Sequence, residues 1–368
     1  MPMNIKKKLQ FAFKYLSYQT LSIINGKIKG IIKPSNDPRI TIKKVNLSEN
    51  LFYNIYSVNT GRLYTDTISD TAFILENKII EGPSFQLRNV KNVKCEENIV
   101  FKKGTPRFRK KLQGNVFSLL TGGAGNSNYW HWLFDVLPRI FIFSNHADLN
   151  EIDYFLFPNL DENFQKESLK ILNLPLKKCL SSKHYRHFSA NEVIATDHPY
   201  NFLNEPLVDS LNIPSWISSI LRKKFNYKKE DIKNNLPRKF YIDRSDSKSL
   251  HAKMRTISNE NDVVKFLKNN EFSIIKLSDF SFTDQIQLFN QAECVVGLHG
   301  AGFANMIFSK PNTKIIELKS FTAGAMFENL AKNHKLSYHC LSVKPKISFN
   351  NQLGEIKINI DLLKDAIR

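Results

Sequence analysis

Apolar and polar positions alternate in a regular rhythm through the second half of the chain. Five short apolar runs have the length and composition of buried strands, at residues 239–244, 272–277, 294–299, 314–319 and 337–343. Three segments between them carry apolar side chains at helical spacing, at residues 258–270, 281–292 and 325–334. Strands that alternate with helices pair in parallel through right-handed crossovers. This half is therefore predicted to form a Rossmann-like sheet.

The first half shows this rhythm only from about residue 114. Residues 40–105 are predicted to form short strands and turns. Beyond them, strands are predicted at 114–121, 153–158 and 192–197, and helices at 128–144 and 163–174. The predicted fold class for the whole chain is α/β, with two Rossmann-like domains that face each other across a cleft.

The domain boundaries are predicted from changes in composition along the 368 residues, a length that suits two domains. The predicted segments are a basic helical extension at 1–40, an N-terminal α/β domain at 41–220, a basic linker at 221–238, a C-terminal Rossmann-like domain at 239–350 and a tail at 351–368. The tail is expected to pack back on the N-terminal domain.

Composition excludes some classes of protein. Hydrophobic residues make up 42% of the chain and aromatic residues 12%, which supplies a buried core and argues against disorder. Four cysteines stand apart, without the spacing of a metal site, and indicate a reducing compartment. A cytoplasmic location follows as the expectation. Peripheral contact with the inner face of the cell membrane stays open.

The formal net charge is +19, which suits nucleic acid, anionic lipid, an anionic substrate or charges spread over solvated faces. Neither a zinc-finger spacing nor an aromatic RNA-binding signature is visible, which argues against specific binding of nucleic acid. No apolar run reaches the roughly 20 residues that a membrane span needs. The basic segment 1–33 is read as a helix that lies either on an anionic membrane or on the protein's own surface.

A glycine turn follows the apolar run at 294–299 and precedes a predicted helix near 303–308. It consists of His299, Gly300, Ala301 and Gly302 and lies at the carboxyl end of a strand, where ligands of open α/β sheets bind. Glycine lets the backbone approach an anion, and N–H groups of the next helix point at it. A tight connection without a ligand is the alternative, and His299 is expected to bind a phosphate or to cap the loop.

Three charged residues of the C-terminal half could hold a nucleotide. Glu317 interrupts an apolar run, and it either holds ribose hydroxyls or is an exposed charge at a strand end. Arg244 and Arg255 either bind a diphosphate bidentately or form surface salt bridges. The chain contains no DxD triplet, so cationic side chains and N–H groups, rather than a metal, are expected to neutralise a leaving group.

The segment NYWHWLFDVLPRI places polar groups on an otherwise apolar helix. His131 and Asp135 are four residues apart and therefore share one helix face. Arg139 lies four residues further, on the same face if Pro138 only kinks the helix. Such groups are costly on an apolar helix without a task, so catalysis is favoured over a core role. Asp135 is either a general base or the group that orients His131 in that role.

Three blocks of the chain, at 128–140, 241–267 and 280–318, resemble those of family 61 glycosyltransferases. In that family they read roughly HW-x-x-D-x-L-P-R, then R-x-x-x-N-E, then Q-x-x-x-F-x-x-A followed by HGAG, an Asn and a Glu. The resemblance covers about residues 114–345 in the same order. It is to the bacterial type that builds capsular and other cell-surface polysaccharides.

The resemblance implies a GT-B fold and an inverting, metal-independent transfer of a hexosyl or pentosyl group, with no cofactor. The donor would be a nucleotide sugar, expected to be UDP-linked, and the acceptor a polysaccharide or lipid-linked glycan. Residues implied to hold the donor are Arg244, Arg255, His299, Gly300, Ala301, Gly302, Asn305 and Glu317. Residues implied on the acceptor side, besides His131 and Asp135, are Asn128, Trp132 and Arg139. The alternative is a non-catalytic protein that binds glycan or nucleic acid on a degenerate nucleotide-binding fold.

Overall fold

The computed structural model describes residues 5–48, 51–65, 71–84, 86–88, 91–120, 127–200, 205–226, 233, 235–247, 255–345, 347–350 and 353–368. The chain divides into two compact units. Unit 1 is Met1–Asp161 with Leu174–Leu207, and unit 2 is Glu162–Asn173 with Val208–Arg368. Both units combine helices with sheets, which confirms the predicted α/β class.

Unit 1 contains fourteen strands among the residues described. They are β1 Gly30–Ile32, β2 Ile40–Ser48, β3 Leu51–Asn59, β4 Arg62–Tyr64, β5 Ala72–Leu75, β6 Lys78–Ile80, β7 Gln86–Arg88, β8 Lys91–Val93, β9 Lys110–Lys111, β10 Asn115–Ser118, β11 Tyr154–Phe157, β12 Cys179–Ser181, β13 His187–Ser189 and β14 Glu192–Thr196. Its helices are α1 Ile5–Ile24, α2 Val100–Lys103, α3 Tyr129–His131, the π-helix Trp132–Val136 and α4 Leu137–Ser144, with short 3-10 turns at Pro34–Asn36, Cys95–Glu97, Leu149–Glu151 and Leu176–Lys178.

Two six-stranded sheets form the body of unit 1. The first has the order β12-β11-β10-β14-β3-β2 and the second the order β1-β6-β5-β4-β13-β9. Strands β10, β11, β12 and β14 pair in parallel, as the sequence rhythm predicts. Strand β3 continues this sheet in antiparallel pairing with β14, and β2 pairs antiparallel with β3. The sheet is therefore mixed, and a purely parallel Rossmann sheet does not describe unit 1.

The two sheets of unit 1 share one hydrophobic core. It includes Val116 and Val193 from the first sheet and Leu63, Phe73 and Phe188 from the second, all at most 2% exposed. Strands β10 and β14 lie side by side. The segments that follow their carboxyl ends carry the polar residues of the candidate site in unit 1.

Unit 2 contains the strands β15 Lys239–Ile242, β16 Arg255–Ile257, β17 Ser273–Ile275, β18 Cys294–Leu298, β19 Lys314–Ser320, β20 Ser337–Val343, β21 Ile347–Asn350 and β22 Leu353–Ile356. Its helices are α5 Asn163–Ile171, α6 Pro206–Asp209, which crosses the unit boundary, α7 Ser215–Lys224, α8 Glu260–Asn269, α9 Phe282–Gln291, α10 Met326–Asn333 and α11 Ile360–Ile367, with 3-10 segments at Leu277–Asp279 and Ala301–Phe308.

Five strands of unit 2 form a parallel sheet in the order β17-β15-β18-β19-β20. The parallel pairing predicted for this half is confirmed. The register places Gly297 beside Ile242 on one side and beside Glu317 on the other. As a result, the residues that follow β15 and β18 leave the same edge of the sheet.

Two segments differ from the expectations. Residues 221–224 of the predicted linker are the last turn of α7, because Leu221 is fully buried; residues 227–232 and 234 of that linker lie outside the described residues. The tail forms α11, whose Leu363 and Ala366 join the core of unit 2 itself with Val263 and Leu267. The apolar side chains of α11 recur at helical spacing and therefore pack into the core of unit 2.

Candidate functional site

The segment around His131 begins with a capped helix. The side-chain oxygen of Asn128 accepts a hydrogen bond from the backbone N–H of Trp130 at 2.9 Å and so starts α3. After His131 the helix widens into the π-helix Trp132–Val136, and it returns to α geometry at Leu137. Short π segments inside α-helices are frequent at functional sites. Asn128 thus has a structural task at the start of this segment.

Asp135 is held by two partners at its two carboxylate oxygens. The Nδ1 atom of His131 lies 2.7 Å from Oδ2, and the hydroxyl of Tyr200 donates to Oδ1 at 2.5 Å. The Nε2 atom of His198 lies 3.8 Å from Oδ2. The side chain of Asp135 has no exposed surface, whereas that of His131 is 34% exposed. Solvent can therefore reach the side chain of His131 and not that of Asp135.

The charges of this cluster are coupled. Burial opposes the charged form of Asp135, but His131 and His198 outweigh it and hold the pKa of this carboxyl well below its ordinary value. Burial also opposes protonation of His131, yet the charge and hydrogen bond of Asp135 raise the pKa of this imidazole above 6.5. The pKa of His198 is lowered, first by burial and then by the positive charges of Arg139 and His131.

Two other residues of the segment lie inside the fold. Trp132 is fully buried, with its ring centroid 5.5 Å from that of Phe157. Arg139 is 4% exposed and donates from Nη1 to the carbonyl of Thr196 at 3.3 Å. Burial lowers the pKa of Arg139 to about 10, against the opposing charges of Asp135 and Asp197. Both side chains are buried, and their predicted place on the acceptor side stays a prediction.

Sequence reasoning missed His198 and Tyr200, which complete the surroundings of Asp135. Both follow β14 directly and lie beside each other, with ring centroids 4.7 Å apart. The signal was available, since polar residues just beyond the carboxyl end of a buried strand often face a site. What the sequence alone did not supply was the strand order, in which β14 lies directly beside β10 and brings this segment next to the helix of Asp135.

In unit 2, the predicted glycine turn receives two arginines. The carbonyl of His299 accepts hydrogen bonds from Nη1 of Arg244 at 2.7 Å and from Nη1 of Arg255 at 3.1 Å. Both arginines are partly buried. Burial lowers the pKa of Arg255 to about 10, and the charge of Arg244 adds to this effect. This geometry brings Arg244 and Arg255 together at the turn, and their binding of a diphosphate stays a prediction.

Glu317 lies in the middle of β19 and is fully buried, so the alternative of an exposed strand-end charge is wrong. Its Oε1 atom lies 2.5 Å from Nδ1 of His299, and its Oε2 atom accepts a hydrogen bond from the hydroxyl of Tyr338. The Nζ atom of Lys319 lies 3.7 Å from Oε2. Burial, with the charges of Arg255 and Lys319, lowers the pKa of His299 despite the hydrogen bond to Glu317.

The segment after the turn is a 3-10 helix over Ala301–Phe308 rather than an α-helix. Asn305 in this helix is fully buried and donates from Nδ2 to the side-chain oxygen of Gln285 at 3.0 Å and to the carbonyl of Gly302 at 3.3 Å. A Cβ atom on Gly300 would lie 3.0 Å from the guanidinium carbon of Arg244. A side chain at position 300 would therefore make the guanidinium of Arg244 shift by a few tenths of an ångström.

The structure separates the predicted donor-binding residues into two groups. The buried members are His299, Gly300, Asn305 and Glu317, and the side chains of His299, Asn305 and Glu317 bond within the fold. The partly exposed members are Arg244, Arg255, Ala301 and Gly302. Within the part of the chain that the structure describes, no group of three or more His, Cys, Asp or Glu side chains is arranged to hold a metal ion.

Comparison with known proteins identifies the family to which the chain belongs. A family model described as Glycosyltransferase 61 matches residues 129–316, just over half of the chain. The chain is also similar to a beta-1,2-xylosyltransferase of Arabidopsis thaliana, with 35% identity over 66 residues, which cover 18% of this chain and only 12% of that relative. The family match includes His131, Asp135 and the turn at His299. The chain belongs to glycosyltransferase family 61.

Proposed function

We propose that this glycosyltransferase is inverting and metal-independent, and that it moves a hexosyl or pentosyl group from a UDP-linked sugar to a cell-surface polysaccharide or glycolipid. The observation that carries the proposal is the pair in unit 1, where a buried carboxylate binds an imidazole that solvent can reach. In enzymes this arrangement prepares a histidine to accept a proton. The proposal includes a GT-B fold, a cytoplasmic location and a role of the bacterial capsular type.

His131 is the proposed general base. Its Nδ1–H donates to Asp135, which leaves Nε2 as the acceptor of a proton. The acceptor hydroxyl gives its proton to Nε2 while its oxygen bonds to the anomeric carbon of the donor. The bond from that carbon to the diphosphate breaks, and the diphosphate leaves with the electron pair. Asp135 is the positioning residue. It is buried, and among the groups that react it contacts only His131.

Asp135 itself is fixed from the side opposite His131. Tyr200 donates a hydrogen bond to Oδ1 of Asp135, and His198 lies near Oδ2. The carboxylate cannot turn away from the imidazole without breaking the bond to Tyr200. The resulting fixed tautomer of His131 is what a general base needs before the acceptor arrives.

The turn of unit 2 is the proposed site of the donor diphosphate. Arg244 and Arg255 bring two positive charges to the carbonyl of His299, at the start of the 3-10 helix Ala301–Phe308. Guanidinium groups and backbone N–H groups stabilise the negative charge that develops on a leaving diphosphate. The buried bonds of His299, Asn305 and Glu317 keep the turn in shape.

A donor panel tests the proposal. UDP-xylose belongs in it because of the relative's printed activity, next to UDP-hexoses and sugars linked to other nucleotides. A donor that binds the folded protein raises its melting temperature, and slow release of UDP in the absence of acceptor shows that the protein is an enzyme. His131→Gln should stop this release and keep the melting shift. No melting shift and no UDP release with any nucleotide sugar would favour a binding protein instead.

A further inference from the structure

Helix α1 carries a stripe of large apolar side chains on its outer face. We call Leu9, Phe13, Leu16, Ile23 and Ile24 the α1 stripe; their exposed fractions are 66%, 74%, 64%, 77% and 70%. Steps of four, three, seven and one residues place all five on one side of an α-helix. Single exposed apolar residues are ordinary, but an ordered row of five marks an interaction surface.

The end of α1 is fixed to unit 1 by hydrogen bonds at Asn25. Asn25, just after the helix, donates from Nδ2 to the carbonyls of Thr105 at 2.8 Å and Arg107 at 2.9 Å. The guanidinium of Arg62 donates to the carbonyl of Asn25 at 2.6 Å, a favourable place for a cation at a helix C-terminus. The helix is thus attached by its last turn, while the five stripe residues stay exposed.

The segment of the sequence that carries the stripe is basic. The first 36 residues contain seven lysines and neither Asp nor Glu. An anionic lipid surface offers the opposite charge, and lysines beside an apolar helix face are the usual composition of helices that lie on such membranes. A second copy of α1 would bring only further lysines to the contact, so a helix pair would lack the opposite charges that stabilise such pairs.

We infer that α1 is a docking helix for anionic membranes. It would lie in the membrane plane, with the α1 stripe among the acyl chains and the lysines at the phosphate groups. Across the described residues no helix has the length and apolarity to cross a bilayer. The inference goes beyond the proposed function and is read out by lipid binding, so that it can stand or fall without the transferase activity.

Flotation of the full chain with lipid vesicles tests the inference. The protein should float with vesicles of 70% phosphatidylcholine and 30% phosphatidylglycerol, and at least about tenfold less with pure phosphatidylcholine or at high salt. The double variant Phe13→Glu/Leu16→Glu should lose at least about tenfold in partitioning and keep its melting temperature, since both side chains are exposed. The matched control is Phe321→Glu/Leu362→Glu, which changes two other exposed apolar residues, 58% and 56% exposed, and should float like the wild type.

Three results would overturn the inference. Equal flotation of the stripe variant and the control variant would show that the stripe does not contact lipid. Equal flotation with neutral and anionic vesicles would remove the role of the lysines. A lipid-free dimer in analytical ultracentrifugation that the stripe variant converts to monomer would assign the stripe to a second copy of the chain.

Discussion

The same pair of groups occurs in both units, in opposite settings. In unit 1, Nδ1 of His131 lies 2.7 Å from the carboxylate of Asp135, and in unit 2, Nδ1 of His299 lies 2.5 Å from the carboxylate of Glu317. The carboxylates are both fully buried. The imidazoles differ, since the His131 side chain is 34% exposed and that of His299 only 3%. The pKa of His131 is raised, and that of His299 is lowered.

The difference comes from the surroundings of each pair. His131 has an anionic partner and a side chain that is partly exposed to solvent, so it can exchange a proton with solvent or substrate. His299 lies among Arg255 and Lys319, whose charges disfavour a further cation, and it has no open side. We therefore expect chemistry at the first pair and support of the turn at the second, although a sequence pattern would rate both as candidate acid–base pairs.

The largest expected effect on activity belongs to Asp135→Asn. The change removes the charge that raises the pKa of His131 and the acceptor that fixes its tautomer, so the transfer rate should fall about 100-fold or more. The pKa of His131 should fall as well. Because the base works when unprotonated, the rise of residual kcat/KM with pH should move to lower pH. Steady-state assays across pH measure both effects.

The matched change to the carboxylate of unit 2 is Glu317→Gln. This substitution leaves Lys319 and the turn without the buried negative charge, and the free energy of unfolding should fall by about 3 kcal/mol. Denaturant unfolding measures the loss. The control is Glu271→Gln, whose carboxylate is 87% exposed and 3.7 Å from Lys239; it should change stability by less than about 0.5 kcal/mol. An unchanged stability of Glu317→Gln would show that the pair does not support the turn.

Gly300→Ala tests the proposed contact of Arg244 with the donor. The backbone at Gly300 has a φ of 172°, which any residue adopts, so the effect is one of space. The new Cβ atom would displace the guanidinium 3.0 Å away. Because the proposed contact stabilises the leaving diphosphate, losing one charged hydrogen bond of about 1.5 kcal/mol should lower kcat/KM for the donor about tenfold. Gly324→Ala, whose Cβ would meet Leu211 at 3.9 Å, is the control and should behave like the wild type.

The smallest expected effect belongs to Tyr200→Phe. It removes one hydrogen bond to Asp135 of about 1 kcal/mol, so kcat should fall about fivefold. Without this donor, more of the negative charge of Asp135 acts on His131 and raises its pKa further. The rise of kcat/KM with pH should then move to higher pH, opposite to its movement in Asp135→Asn. Movement in the same direction in both variants would contradict the proposed roles of these residues.

The sequence predicted what depends on local spacing. The strands and helices of unit 2 formed close to their expected positions, because each apolar run is long enough to define a strand of the parallel sheet. The contact between His131 and Asp135 was predicted from their spacing of four residues. It forms even though the chain between them adopts a π-helix.

What the sequence did not predict depends on contacts between distant segments. Tyr200 reaches Asp135 across 65 positions of the chain, and Tyr338 reaches Glu317 across the pairing of β19 with β20. The same limit explains why Glu317 could be read as an exposed charge. Its partners His299 and Tyr338 come from the neighbouring strands on both sides. The order of the strands in a sheet cannot be predicted from any single segment of the sequence.

Titration of the two histidine rings by NMR tests the central contrast most directly, because it needs neither donor nor acceptor. His131→Gln and His299→Gln assign the two signals. We predict that His131 titrates with a pKa above 6.5 and that His299 titrates below 6.5. A pKa of His131 below that of His299 would contradict the assignment of chemistry to unit 1 and support to unit 2.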